Sequence, residues 1–265
     1  MGCPRSGTTL VHTAVMGHDQ VSALSDEMLI IPFFSRGIST FTFGNEHEEE
    51  KRKGRASLFD AMASLMATDQ TRALGIKCCT QTTEQADIFV ESVQRDFPDA
   101  KIIITDRRDL VAQYGSLQSA RSTGTWHSWY SGAKDAKTRK IKLWRPLFIR
   151  YAVRCLNTMQ ALQRLRATHD VHECVYEDIL VDRDAVLQGA VRFLGLESVP
   201  ITWLRTQKVK AAPSEYITSY DALTRLHERL RQQHAEQRLS ARVHALVRTI
   251  ESASSFYYRH LKRSA

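Results

Sequence analysis

Two glycines five residues apart, Gly2 and Gly7, followed by Thr8, Thr9 and the apolar pair Leu10-Val11, constrain this chain more than any other stretch. The spacing G-x-x-x-x-G-T-T is that of a loop that cradles phosphate and then passes into a helix. Such a loop aims several backbone N–H groups at one point, and the helix dipole adds positive potential there. Gly7 lets the backbone approach an anion closely, Ser6, Thr8 and Thr9 supply hydroxyls, and Arg5 adds a fixed positive charge. A nucleoside-triphosphatase loop would carry Lys at position 8, whose ammonium reaches the outer phosphates; Thr8 cannot do this. A cysteine phosphatase loop would need Arg six residues after its Cys, and six residues after Cys3 stands Thr9. The loop is an anion cradle equipped for neither chemistry. Only Met1 precedes Gly2, so either the chain starts late or the sheet lacks the strand that normally carries such a loop.

Beyond the loop, helices alternate with short apolar strands. A helix is expected over 9–17, ended by Gly17, then an extended stretch near Val21 and an apolar run Met28–Phe34. A Gly/Ser/Thr/Phe-rich loop over 35–45 and a charged run over 46–54 lead to Leu58, Met62, Leu65 and Met66 at helical spacing. Ala73–Cys79 reads as one short buried strand, 84–97 as a helix stopped by Pro98, and Lys101–Thr105 as the clearest strand in the chain. Helices are also expected from Asp109 to Thr123, 147–167 and 184–194, with a last strand at Val171–Tyr176. Uninterrupted β-branched strands alternating with helices predict a three-layer α/β fold, a parallel sheet flanked by helices. With 265 residues, 43% of them hydrophobic, the chain is expected to be a single domain over 1–265, with a helical C-terminal extension from about 213 to 265.

Charge narrows the ligands. Lys and Arg number 37 against 29 Asp and Glu, a formal net charge of +8, which favours anionic partners. The tail helices, near 221–235 and 238–261, interleave their arginines with Glu and carry no nucleic-acid motif, so no nucleic acid is expected. No apolar run is long enough to span a bilayer, and no signal peptide is expected before Gly2. Five cysteines, odd in number and without metal-ligand spacing, suit free thiols and a cytoplasmic location with no bound metal.

Three stretches together resemble the sulfotransferases that use 3′-phosphoadenosine 5′-phosphosulfate (PAPS). Pro4-Arg5-Ser6-Gly7-Thr8-Thr9-Leu10 is similar to the family's loop for the 5′-phosphosulfate. Arg107-Arg108-Asp109 with Gln113 and Ser116 is similar to its 3′-phosphate site. Val175-Tyr176-Glu177-Asp178-Ile179-Leu180, followed by Phe193-Leu194-Gly195-Leu196, is similar to its strand-plus-helix signature. The run from Arg107 through Trp126-His127 resembles bacterial trehalose 2-sulfotransferase and its carbohydrate-modifying relatives. The loop departs from that branch in having proline before its arginine, so trehalose itself is not carried over as acceptor.

The resemblance implies a P-loop-like sulfotransferase fold, PAPS as donor co-substrate, and a small-molecule or glycan acceptor. Arg5, Ser6, Gly7, Thr8 and Thr9 would bind the 5′ side of the donor, with Arg5 also catalytic; Arg107 and Ser116 would hold the 3′-phosphate. Arg108 is as readily a surface partner of Asp109. Glu27 is the expected general base, with His12 and His18 as rivals. Lys77 could touch the transferred group, Trp126 and His127 could shape the acceptor pocket, and Lys208 could cover the donor. The alternative is a phosphate-loop nucleotide-binding protein, kinase-like or a non-catalytic PAPS binder; a kinase would need a loop lysine and an acidic magnesium site. A homo-oligomer is compatible with the sequence.

Overall fold

The computed structural model describes residues 1–23, 28–29, 67–80, 82–123, 140–201 and 212–260, with backbone alone at 28–29 and 252–260. Glu27, Trp126, His127, Lys208, the loop at 35–45, the charged run and the helix expected around Leu58–Met66 lie outside the described residues. The chain divides into two compact units, Met1–Arg108 with Thr158–Thr206, and Asp109–Asn157 with Gln207–Ala265.

The first unit is α/β, with parallel strands flanked by helices. Helix α1 (Thr8–Met16) leaves the loop, and β1 (Val21–Ala23) and β2 (Met28–Leu29) come after it. Next come β3 (Ala73–Gly75), β4 (Cys78–Cys79), α2 (Thr83–Asp96) and β5 (Ile102–Asp106). Thr82 starts α2 by accepting the Gln85 N–H, and the helix's buried Phe89, Val90 and Val93 share a core cluster with Ile102 and Ile104 of β5. Later in this unit, β7 (Val171–Val175) pairs in parallel with β5 along five residues, Ile102 opposite Val171 through Asp106 opposite Val175. Helix α1 buries Val11 and Ala14 in a core that also holds Cys174, Ile179, Leu187 and Ala190.

Ala73–Cys79 is two strands rather than one. Ala73–Gly75 pairs with β1, whereas Cys78–Cys79 pairs with β2. Met1–Gly2 occupies the place of the strand in front of the loop. Gly2 bridges in parallel to Cys79 on one side and to Thr105 on the other, giving the row β2, β4, Met1–Gly2, β5, β7. The Met1 ammonium donates to the Ile103 carbonyl at 2.7 Å, the Met1 carbonyl accepts the Thr105 N–H at 2.6 Å, and the Gly2 carbonyl accepts the Thr80 N–H at 3.1 Å. Burial pushes the pKa of that ammonium down. A cavity of about 210 Å³ adjoins Met1, with Gly75–Cys78 and Ala100–Ile103 among its lining. These are the stretches that lead into the two residues Gly2 pairs with.

The second unit is mostly helical: α3 (Leu110–Thr123), β6 (Ile141–Lys142), most of α4 (Arg145–Gln163), α7 (Pro213–Tyr216), β8 (Ile217–Thr218), α8 (Tyr220–Ala235) and α9 (Ala241–His260). Its α3 starts on Asp109, whose Oδ1 accepts the Ala112 N–H at 2.8 Å while Oδ2 accepts the Tyr220 hydroxyl. Gly115 lets β8 approach, since a Cβ there would strike Ile217. Tyr114 packs against Phe148 and Tyr151 with ring centroids 6.0 and 4.8 Å away.

His227 of α8 is buried, and burial is the largest influence lowering its pKa; Asp109 and Glu228 pull it up, and Arg231 pushes it down. Its folded pKa lies below the ordinary 6.5, so between those values the unfolded chain binds more protons. The stability this group contributes is complete above 6.5 and is lost as pH falls toward the folded value. His227→Gln is expected to flatten the dependence of thermal midpoint on pH between about pH 5 and 7.5. An unchanged slope in melting curves across that range would assign the acid sensitivity elsewhere.

Candidate functional site

The loop turns on two left-handed residues, Arg5 at φ 67° and Gly7 at φ 95°. Glycine adopts this conformation freely and arginine does not, so Arg5 is held there by its surroundings. The Ser6 N–H closes the turn on the Cys3 carbonyl at 3.2 Å. Gly7 caps α1 with no side-chain hydrogen bond, leaving the helix start without the usual hydroxyl or carboxylate acceptor. The Gly7 Cα faces the Tyr176 ring, and a Cβ there would stand 3.0 Å from Cδ2.

Beneath the loop lies a triangle of hydroxyls. Ser6 Oγ is 3.0 Å from Thr8 Oγ1 and 2.9 Å from Thr105 Oγ1, and the two threonine oxygens are 2.8 Å apart. All three side chains are buried. Ser6 and Thr8 therefore tie the loop to the end of β5, and the loop offers an anion chiefly backbone N–H. Thr9 faces differently: its Oγ1 accepts from the Lys77 ammonium at 3.2 Å, and Lys77 is itself buried at 5% exposure. Sequence reasoning assigned no task to Thr105, which looked like the end of an apolar strand.

The second cationic element comes directly after β5. Arg107 is 12% exposed at its side chain and lies over the Tyr176 ring, with its guanidinium carbon 4.4 Å from the centroid. One terminal nitrogen donates to the Arg5 carbonyl at 3.4 Å, which joins this arginine to the loop. Its Nε is buried without a hydrogen-bond partner, and the nearest carboxylate oxygen, Glu177 Oε1, is 3.9 Å away. A buried donor in that state costs free energy unless something accepts from it, and an anion would. Arg108 goes elsewhere. It makes a two-pronged pair with Asp178 at 2.8 and 2.9 Å, which raises its pKa, and its N–H donates to Glu177 at 3.0 Å. The partner expected from sequence, Asp109, instead caps α3.

Tyr176, Glu177 and Asp178 open α5 (Tyr176–Val181), a single short helix that sequence periodicity had not revealed; α6 (Arg183–Phe193) comes next. Ser116 belongs to the second unit, on α3, and is half-buried. His18 is held in the backbone framework, with its Nδ1 also 3.1 Å from Asp19 Oδ1. It is 3% exposed, its Nε2 lies 3.1 Å from the Glu197 carbonyl, and its Nδ1 accepts the Gln20 N–H at 3.1 Å. His12 is half-buried and lines the cavity beside Met1. The five cysteines are buried and form no disulfide, and burial pushes the Cys174 thiol up to about 11, far from a reactive thiolate. Among the described residues no cluster of His, Cys, Asp or Glu could hold a metal ion, and no helix is long and apolar enough to cross a membrane.

Residues 1–200 match the model of the family described as "Sulfotransferase family". The crystal structure of a sulfotransferase from Alicyclobacillus acidocaldarius is similar over 92% of this chain and 96% of that chain, at 13% identity and a TM-score of 0.49. No curated protein matches.

Proposed function

Because this chain belongs to the sulfotransferase family, we propose that it moves a sulfuryl group from PAPS to a hydroxyl of a small-molecule or glycan acceptor, a carbohydrate or glycolipid. The observation that carries the donor is the junction of two cationic elements. A phosphate-type loop and Arg107 meet at the Arg5 carbonyl, with a buried Arg107 N–H left unsatisfied beside them. One phosphate would need only the loop; a second anion-binding element beside it suits a nucleotide phosphorylated at both ends. Absence of a lysine at position 8, where Thr8 is tied into the hydroxyl triangle, disfavours the kinase-like alternative.

In this reading the donor supplies an activated sulfur–oxygen bond. The loop N–H groups and Arg5 hold the 5′-phosphosulfate and stabilise the negative charge that gathers on the leaving phosphate oxygen. Arg107 holds the 3′-phosphate, and Ser116 joins it there by resemblance alone. The acceptor oxygen attacks sulfur, the bond from sulfur to the bridging oxygen breaks, and the acceptor proton passes to Glu27. The products are the sulfated acceptor and 3′-phosphoadenosine 5′-phosphate.

The test is transfer of radiolabel from labelled PAPS into an extract of glycans and glycolipids. Arg5→Ala is expected to lower that transfer about 10–150-fold, the worth of one charge-assisted hydrogen bond. Tight binding of the 3′,5′-bisphosphate without transfer to any acceptor would favour a donor-binding protein, and no binding at all would sink both readings.

A further inference from the structure

Tyr176 stands where β7 passes into α5, and its ring meets two things at once. One edge lies against the Cα of Gly7, close enough that a Cβ there would be 3.0 Å from Cδ2. Its face carries the Arg107 guanidinium at 4.4 Å. The loop and Arg107 come from sequence positions about a hundred residues apart, and Tyr176 is a third, separate segment that touches both. We propose that Tyr176 is a positioning residue: its ring sets the distance between the anion loop and Arg107, and so selects a donor that carries both a 5′ and a 3′ phosphate. This role rests on PAPS being the donor.

The physical case is one of alternatives denied. An arginine beside Glu177 would ordinarily close a two-pronged ion pair, as Arg108 does with Asp178. Arg107 instead leaves its Nε 3.9 Å from Glu177, longer than a hydrogen bond, and holds its guanidinium carbon over the ring. A cation–π contact holds the guanidinium in place while leaving N–H groups for an incoming anion. Gly7 keeps the ring near, because any side chain there would push it and Arg107 away from the loop. Glu177 serves the neighbouring backbone, accepting the Arg108 N–H at 3.0 Å. Beside its hydrogen bond to the Arg5 carbonyl, Arg107 is thus supported by a ring rather than by a carboxylate, and a ring does not compete with phosphate for its protons.

The experiment compares Tyr176→Phe with Tyr176→Leu, each alone and combined with Arg107→Ala, by calorimetric titration. The probes are 3′-phosphoadenosine 5′-phosphate and adenosine 5′-monophosphate. Tyr176→Phe keeps the ring and is expected to bind both probes as the unmodified chain does. Tyr176→Leu is expected to weaken the bisphosphate about 5–20-fold, in keeping with a partly desolvated cation–π contact, and the monophosphate less than about twofold. In the Arg107→Ala background it is expected to weaken neither further, because the ring then has nothing to hold. Equal losses for both probes, or additive losses with Arg107→Ala, would overturn the positioning role and leave the donor reading standing. An unmodified chain that binds the bisphosphate no better than the monophosphate would overturn the donor reading, and this inference with it. A melting curve for each variant accompanies the titrations, and Tyr176→Phe carries the decision if Tyr176→Leu fails to fold: a 5–20-fold loss with the ring retained would then refute the role.

Discussion

Gly2→Ala is expected to destabilise the protein by about 3 kcal/mol or more, lowering the thermal midpoint by roughly 6–12 °C. A Cβ at this position would fall on the Thr105 carbonyl, on Thr105 Oγ1 and on Ser6 Oγ. None of the three can give way cheaply. The carbonyl is part of the β5 backbone, whose residue Asp106 pairs with Val175 next door. The two hydroxyls are buried members of the triangle with Thr8. Relief requires either that β5 move off the Met1–Gly2 stub or that the triangle open, and each loses buried hydrogen bonds. Gly75→Ala is the control. Its Cβ would meet only the Ala23 Cβ, at an ordinary 3.9 Å, so a cost below about 1 kcal/mol is expected. Equal urea midpoints for the two variants would show that the close approach at Gly2 does not bear on stability.

Glu27→Gln is expected to lower kcat by about 10²–10⁴-fold, the usual contribution of a general base, while changing the affinity for 3′-phosphoadenosine 5′-phosphate less than about twofold. An acceptor hydroxyl is a poor nucleophile while it keeps its proton. Sulfuryl transfer through a loose transition state needs that proton removed as the new bond forms. Glutamine keeps the size and hydrogen-bonding reach of the side chain and removes only the basicity. The split between an altered kcat and an unaltered donor affinity is therefore the signature, read from label transfer and calorimetry on the same preparation. Retention of more than about a tenth of the rate would remove Glu27 from the role. His12 would inherit it, since both ring nitrogens of His18 are engaged in holding the backbone at Gln20 and Glu197.

How far the sequence could be read depended on whether the deciding contact was local. β5 was legible because Ile102, Ile103 and Ile104 form a β-branched apolar run. Helix α2 was legible from its apolar period and Pro98, and the polar tail helices appear at Tyr220–Ala235 and Ala241–His260, close to their expected bounds. The break in Ala73–Cys79 was not legible. It arises because the two halves find different neighbours, β1 and β2, and nothing in seven residues announces that. The hydroxyls of Ser6 and Thr8 were read as anion donors for the same reason. Their partner Thr105 lies 99 and 97 residues away, so only folding could turn them inward. Arg108 looked toward its sequence neighbour Asp109, yet a carboxylate 70 residues on, Asp178, offers both oxygens to the guanidinium at once. The loop itself was legible because its task is done by consecutive backbone atoms, which is the kind of feature a linear pattern can specify.

The backbone hydrogen bonds around Gly2 also govern how solvent deuterium reaches the seat of the loop. The Thr105 N–H is bonded to the Met1 carbonyl at 2.6 Å and the Thr80 N–H to the Gly2 carbonyl at 3.1 Å. Both amides lie in the row that carries the anion loop, so their exchange with deuterated solvent reports the opening of that row rather than the fraying of an exposed edge.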